Sequence, residues 1–314
     1  LQTTNQKLTH RARRIVAQLA AVSEDDAQRL LDRCGGDAKT AIVVHLRSVS
    51  PQAAARMLAR AGRRLKKDFS PWLRHVEELK RQFDMAYDDK SRLIQPQEVI
   101  QALSEMTNGK AIVSTGVGQH QMWAAQYYQF SRPRSLLTSG SMGTMGFGLP
   151  AAIGAQVAHP DALVIDIDGD GSLRMNLGEL ETATTYDLPV KIVLMNNLGD
   201  GMVRQWQRMY FGERFSGTDK SLHKKDFIKA AQADGYGFAK RLTDRKKIRP
   251  MLEELLAHPG PGLLEVRIDP DASVYPIVGP GMGYTEMETG PWIKKRPAPP
   301  APEKVDILTA PDLF

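Results

Sequence analysis

Apolar positions in the first 65 residues recur at helical spacing. Two sets show the pattern: Ile15, Leu19 and Val22, and then Ala27, Leu30 and Leu31. Ser23 is suited to cap a helix over residues 24–33, and Asp37 a second helix that runs to about residue 46. Residues 1–65 are therefore predicted to form a small all-helical unit.

The pattern changes to short, continuous apolar runs from residue 94 onward. Before this point, residues 66–93 are expected to form a linker helix. The predicted strands beyond it are Ala111–Thr115, Leu136–Ser139, Leu163–Ile167, Lys191–Met195, Phe238–Arg241 and Leu263–Ile268. Strands without alternation are typical of sheets that are covered on both faces. We predict an α/β domain over residues 94–285, a parallel sheet with helices on both faces, and a Pro-rich extended or disordered tail over 286–314.

Composition and charge argue against several classes of protein and site. Hydrophobic residues make up 42% of the chain, and no segment approaches the roughly 20 apolar residues that cross a bilayer. Without a secretory pattern at its start, the chain is expected to be cytoplasmic. The lone Cys34 excludes an intrachain disulfide and a multi-cysteine zinc site. The net charge of +6 includes a basic run through residues 60–67, which we interpret as a solvated helix face rather than a nucleic-acid site.

Three Gly-rich loops follow predicted strands, over residues 116–120, 143–148 and 169–172. Each precedes a helical segment, where free backbone N–H groups favour phosphate and glycine permits a close approach. The glycines at 143, 146 and 148 lack the closely spaced first pair of the dinucleotide fingerprint.

Asp170 and Asn197 follow consecutive apolar strands of this domain. A carboxylate, an amide oxygen and a main-chain carbonyl at neighbouring strand ends would suit Mg²⁺, which prefers oxygen ligands and bridges to phosphate. Gly-Asp-Gly and Asn-Asn-Leu-Gly are also common compositions of ordinary turns. The residues alone leave both interpretations open.

The Gly169-Asp-Gly-Ser172 segment with Asn196-Asn197 resembles the motif of the thiamine-diphosphate enzymes. The resemblance implies that Mg²⁺ is bound by Asp170, the Asn197 side chain and the Gly199 carbonyl. It also implies that Gly169, Gly171 and Ser172 belong to the cofactor site.

Longer segments are similar to the catalytic subunits of acetohydroxyacid (acetolactate) synthases: residues 117–125, 144–156, 188–193 and 201–207. By resemblance, Gln119 and His120 approach the diphosphate, and Gly143 and Met145 contact the aminopyrimidine, with Met145 holding the cofactor bent. The substrate pocket would be lined by Met202, Val203 and Trp206. The implied reaction condenses pyruvate with a second 2-keto acid for branched-chain amino acid synthesis.

The chain also departs from that family. The family usually has Gly-Leu where this chain has Ser141-Met142. It often has Leu where this chain has Asp200. The activating glutamate of the family lies on a pyrimidine-binding domain, and neither that domain nor the FAD-binding domain has a match here. We expect a homo-oligomer, or a partner subunit that carries the pyrimidine-binding domain, and poor turnover by this chain alone.

Residues 1–65 resemble a different family, in segments 1–8, 11–16 and 34–43. These are similar to the C-terminal helical tail of N-acetylmuramic acid 6-phosphate etherases, but no etherase active-site residue is carried over. Two alternatives to the synthase remain: another thiamine-diphosphate carboligase or a 2-keto acid decarboxylase, and a non-catalytic chimeric fragment.

Overall fold

The structure is a computed structural model, and it describes residues 6–60 and 69–293. Contacts within the chain group it into two compact units, Leu1–Leu79 and Lys80–Phe314. The domain boundaries predicted from the sequence at residues 65, 93 and 285 remain predictions. The first five helices are α1 Gln6–Ala20, α2 Glu24–Arg33, α3 Ala38–Arg47, α4 Pro51–Arg60 and α5 Ser70–Gln82.

Local capping follows the sequence in the first unit. Ser23 Oγ accepts a hydrogen bond from Asp26 N at 3.1 Å at the start of α2, and Asp37 Oδ1 accepts one from Lys39 N at 3.1 Å at the start of α3. Each cap satisfies a backbone N–H that has no partner within the helix. Both predicted caps are confirmed.

The spacing of Ile15 and Leu19 predicted a helix, which is α1, but other residues of α1 make its core contact. Ala12, Val16 and Ala20 of α1 are buried, whereas Leu19 is 51% exposed. Val22 lies after the helix and is only partly buried against the core. The buried stripe consists mainly of small residues at i, i+4 spacing, and these allow α2 and α3 to approach closely, so the largest apolar residues did not mark the contact face. The other predicted set, on α2, is buried as expected.

The second unit is built on six parallel strands. They are β1 Ile112–Thr115, β2 Leu136–Thr138, β3 Val164–Gly169, β4 Lys191–Asn196, β5 Phe238–Leu242 and β6 Gly262–Arg267. The sheet order is β2-β1-β3-β4-β6-β5. The helices are α6 Pro96–Thr107, α7 Gln119–Tyr127, α8 Gly148–Ala158, α9 Asp170–Leu173, α10 Glu179–Thr185, α11 Gly201–Tyr210, α12 Phe227–Ala233 and α13 Ile248–Ala257. The predicted α/β fold and its parallel sheet are confirmed.

Successive strand residues enter two separate hydrophobic cores. Val193 and Met195 pack with residues of α6, α7 and α13, whereas Ile192 and Leu194 pack with residues of α8, α10 and α12. Side chains alternate between the faces of a strand, so both faces of β4 require apolar residues. This two-sided burial is the physical reason for the continuous apolar runs in the sequence.

The order of the strands reverses between β1 and β3. The chain passes from β1 outward to β2, and from β3 it passes to β4 on the other side. The loops after β1 and β3 therefore diverge at one edge of the sheet and leave a crevice, the usual place for a ligand in such a fold. Gly169 is level with Met195 of β4, so residues that follow β3 and β4 emerge side by side.

Some predictions fall at the edge of the described residues. Arg63, Arg64, Lys66 and Lys67 of the basic run lie outside them, as does the predicted tail from residue 294. Within the described part of that tail, Glu288 pairs with Ile277 through two backbone hydrogen bonds of 2.8 and 2.9 Å. None of the helices in residues 6–60 and 69–293 has the length and apolar character needed to cross a bilayer.

Candidate functional site

A cavity of about 250 Å³ lies at the carboxyl ends of β1, β3 and β4. Eleven of the residues selected from the sequence line it: Gln119, His120, Met145, Gly169, Asp170, Gly171, Ser172, Asn197, Gly199, Met202 and Val203. They come from four separate segments of the chain. The fold thus brings together most of the residues that the resemblance implied for cofactor and metal.

Asp170 directly follows β3 and is 3% exposed. Burial raises the pKa of its carboxyl to about 6, although the positive charges of Lys220 and Arg174 act in the opposite direction. The group is thus an acid whose ionised form lacks sufficient compensation from the protein. A divalent cation in the cavity would supply that compensation.

Asn197 lines the same cavity from the end of β4. Its Oδ1 accepts a hydrogen bond from Gly199 N at 3.1 Å, and its Nδ2 donates to Gln119 Oε1 at 3.4 Å. Described residues contain no group of three His, Cys, Asp or Glu side chains that could hold a metal. Two carboxylates, those of Asp170 and Asp200, line the cavity together with the Asn197 amide, and oxygen ligands of these kinds fit the preference of Mg²⁺.

Two glycines leave room that any side chain would occupy. A Cβ atom at Gly169 would lie 2.6 Å from His120 Nδ1, and one at Gly171 would lie 2.7 Å from Asp200 Oδ1 and 3.3 Å from Met145 Cε. Neither residue has a positive φ. Space therefore favours glycine most strongly at Gly169, where the buried His120 ring would be met, whereas the atoms near Gly171 are the ends of flexible side chains.

Ser172 joins two of the loops around the cavity. Its buried hydroxyl accepts hydrogen bonds from Val117 N at 3.2 Å and from Gly146 N at 3.0 Å. The sequence assigned Ser172 to the cofactor site through the motif alone. In the structure its hydroxyl also fixes the loop after β1 against the loop before α8.

Gln205 supports the site from behind the cavity wall, and the sequence did not single it out. It is 1% exposed, and its amide both donates to Val274 O at 2.9 Å and accepts from Val274 N at 2.8 Å. Gln119 Nε2 donates to Gln205 Oε1 at 2.9 Å. The only signal was its place inside the segment 201–207, where it is a polar residue on the inner face of α11.

Two buried carboxyls lie beneath the cavity and were also missed. Asp168 Oδ1 lies 3.4 Å from His120 Nε2, without the alignment of a hydrogen bond, and accepts one from Gly169 N at 2.8 Å. Burial, and then the charge of Asp168, raise the pKa of the Asp166 carboxyl well above its ordinary value. The available signal in the sequence was the presence of two polar residues within an apolar strand. The structure places one of them, Asp168, beside His120 of the cavity wall.

Two predicted residues lie away from the first cavity. Trp206 lines a second cavity of about 600 Å³, which shares Met202 and Val203 with the first. Gly143 does not line either cavity; it has φ +69° and donates to Ser139 O at 3.1 Å. Its neighbour Met142 is 86% exposed. The structure therefore places Trp206 next to the site and Gly143 in a turn outside the cavity wall.

Comparisons with known proteins identify the α/β unit. Residues 116–266 match the family model "Thiamine pyrophosphate enzyme, C-terminal TPP binding domain". Acetolactate synthase 1, chloroplastic, of Nicotiana tabacum is 46% identical over 232 residues, which are 72% of this chain and 35% of the relative. The acetolactate synthase catalytic subunit, mitochondrial, of Saccharomyces cerevisiae is 44% identical over 226 residues, 70% of this chain and 32% of the relative. The chain spans about a third of the length of these relatives.

Proposed function

The α/β unit of this chain is a C-terminal TPP-binding domain of the thiamine pyrophosphate enzyme family, related to acetolactate synthases, and from this we propose that the chain binds Mg²⁺ and thiamine diphosphate and serves acetolactate formation. The observation that carries the proposal is the position of Asp170 and Asn197. They follow neighbouring parallel strands and line one cavity.

The proposed cation ligands are Asp170, the Asn197 side chain and the Gly199 carbonyl. The raised pKa of the Asp170 carboxyl supports this assignment, because a cation would compensate its buried charge. Gly169, Gly171 and Ser172 would form the adjoining wall, with Gln119 and His120 opposite. The Ser172 hydroxyl and the Gln119 amide of that wall are already fixed by hydrogen bonds within the protein, which preorganises this part of the site.

Bound thiamine diphosphate would supply the carbanion chemistry that amino-acid side chains lack. The residues of this chain would bind and orient it. Met145, whose Cε lies 3.3 Å from the place of a Cβ on Gly171, would be the apolar contact that holds the cofactor bent. Gly143 is proposed to contact the aminopyrimidine from the turn in which it lies.

The proposed substrates are pyruvate and a second 2-keto acid, which would be condensed to 2-acetolactate or 2-aceto-2-hydroxybutyrate with loss of carbon dioxide. Met202 and Val203 support this, because they belong to both cavities and connect the cofactor site to the space beside Trp206. The activating glutamate would come from a pyrimidine-binding domain, in another copy of the chain or in a partner subunit. The cytoplasmic location expected from the sequence also stays a proposal.

Titration calorimetry tests the binding half of the proposal. Wild type is expected to bind thiamine diphosphate only with Mg²⁺ present. Asp170→Asn is expected to lose this Mg²⁺-dependent binding. Asp161→Asn, an exposed aspartate of the same unit, is the matched control and is expected to bind as wild type does. Binding by Asp170→Asn that equals wild type would contradict the assignment of the ligand.

Product analysis tests the catalytic half. The chain is incubated with pyruvate, alone and with a pyrimidine-binding domain from a related synthase. Acetolactate formed only with the added domain is expected. Acetaldehyde in its place would indicate a decarboxylase, and acetolactate formed by the chain alone would contradict the need for a second domain.

A further inference from the structure

An ion pair lies within the wall of the proposed cofactor cavity. Lys220 Nζ donates to Asp200 Oδ1, and both residues line the cavity with Asp170 and Asn197. The Lys220 side chain is 14% exposed and that of Asp200 is 30% exposed. The pair is thus largely removed from bulk water, unlike an ordinary surface ion pair.

The backbone fixes Lys220 opposite the loop that follows β4. Lys220 N donates to Leu198 O at 2.8 Å, and Asp200 N donates to Thr218 O at 3.0 Å. Between these bonds, Gly199 and Asp219 form an antiparallel bridge. The segment that carries Lys220 is therefore bound directly to the segment that carries the proposed cation ligands Asn197 and Gly199.

The ammonium group lies close to Gly171, in the helix α9 that follows β3. A Cβ atom built on Gly171 would lie 3.1 Å from Lys220 Nζ. An ammonium has three N–H donors, and within residues 6–60 and 69–293 the one acceptor found for Lys220 Nζ is Asp200 Oδ1. Two donors therefore remain for a ligand in the cavity, at the place where the proposed function puts the diphosphate.

We propose that Lys220 donates hydrogen bonds to a phosphate oxygen of the bound diphosphate, and that Asp200 holds the ammonium in position for this contact. The inference rests on the proposed function, because it takes thiamine diphosphate as the ligand. It adds to the cation a hydrogen-bond donor that the protein fixes in place and whose charge is balanced by Asp200. Binding of the diphosphate then depends on Lys220 as well as on Mg²⁺.

Calorimetry tests the contact with two probes, thiamine diphosphate and inorganic pyrophosphate. Each is titrated in saturating Mg²⁺. Lys220→Gln is expected to weaken binding of both probes by about tenfold, as for the loss of one charge-assisted hydrogen bond. Lys224→Gln is the matched control, since Lys224 is an exposed lysine of the same segment. It is expected to bind both probes as wild type does.

Asp200→Asn separates a ligand contact from a merely structural ion pair. It removes the partner charge but keeps a side-chain oxygen that can still accept a hydrogen bond from the ammonium, so affinity for pyrophosphate is expected to stay within about threefold of wild type or to increase. Equal losses in Asp200→Asn and Lys220→Gln would show that only the ion pair matters and would overturn the proposal. If Lys220→Gln does not fold, as judged by circular dichroism, Asp200→Asn decides alone: affinity for pyrophosphate within about threefold of wild type supports the contact, and a loss of about tenfold overturns it.

The two proposals fail in different ways. Wild type that binds neither probe would refute the proposed function, and the role of Lys220 with it. Wild type that binds both probes, together with Lys220→Gln that binds them equally well, would refute the role of Lys220 alone.

Discussion

Gln119 and Gln205 are joined by a hydrogen bond of 2.9 Å between Gln119 Nε2 and Gln205 Oε1. The bond links the first residue of α7 to the middle of α11, and both side chains are almost fully buried. Gln205 also bonds both backbone polar groups of Val274. One side chain therefore fixes the relative position of three segments around the cavity.

Replacing Gln205 by Ala should destabilise the chain by about 1–3 kcal/mol, because Val274 N loses its acceptor and Gln119 Nε2 keeps only Ala272 O, at 3.0 Å. Urea denaturation followed by circular dichroism measures the change. Gln232→Ala, at an exposed position of α12, is the control and should stay within about 0.5 kcal/mol of wild type. A Gln205 variant as stable as the control would show that water replaces these bonds.

Replacing Gly169 by Ala should lower the affinity for thiamine diphosphate, because the new Cβ would lie 2.6 Å from His120 Nδ1 and displace that ring. Overpacking of this kind typically costs about 1–3 kcal/mol of stability as well. Gly154→Ala is the matched control. Gly154 is an exposed residue within α8, a Cβ there meets no atom within 4 Å, and alanine should stabilise the helix by about 0.5–1 kcal/mol. Opposite shifts of the melting temperature are expected for the two variants.

Much of the α/β unit follows from the sequence for a simple reason. The central strands β1, β3, β4 and β6 are buried on both faces and are therefore largely apolar, and the six predicted runs correspond to β1 to β6. Because the strands are parallel, residues that follow them emerge at one edge of the sheet, which is why Asp170 and Asn197 could be expected in one cavity. The metal role assigned to them is still a prediction.

Other parts of the site could not be predicted, because they depend on contacts between distant segments. Lys220 is one lysine in a polar stretch, and only the pairing of its segment with residues 198–200 brings it into the cavity wall. The core-facing side of α1 could not be predicted for a different reason. Small residues such as Ala12 and Ala20 form its core contact, and a search for large apolar residues overlooks them.

Replacing Ser172 by Ala should loosen the two loops that its hydroxyl holds, since Val117 N and Gly146 N lose their acceptor. We expect a loss of about 1–3 kcal/mol of stability and weaker binding of thiamine diphosphate. Ser216→Ala, at an exposed position of the same unit, should leave both quantities unchanged. Thermal denaturation and calorimetry on both variants check this, and unchanged binding in Ser172→Ala would limit its role to stability.

The stability of the α/β unit should depend on pH through Lys191, at the opposite end of β4 from the cavity. Lys191 is 2% exposed, its ammonium donates to His258 O at 2.6 Å, and burial lowers its pKa to about 8. Unfolding restores the ordinary value of 10.5, so between these values the unfolded chain binds more protons than the folded chain. Stability from this group therefore rises with pH in that range and is lost as pH falls through about 8.

The measurement is the difference in unfolding free energy between wild type and Lys191→Met, taken at intervals across that pH range. The difference should shift in favour of wild type as pH rises. His258 is the titratable neighbour of Lys191, and burial and the nearby Lys191 charge both lower its pKa, so it titrates below the range. Lys191→Arg carries a charge that does not titrate there, and its difference from Lys191→Met should stay constant. A constant difference between wild type and Lys191→Met would show instead that the ammonium stays charged in the fold, held by the carbonyls of His258 and Gly260.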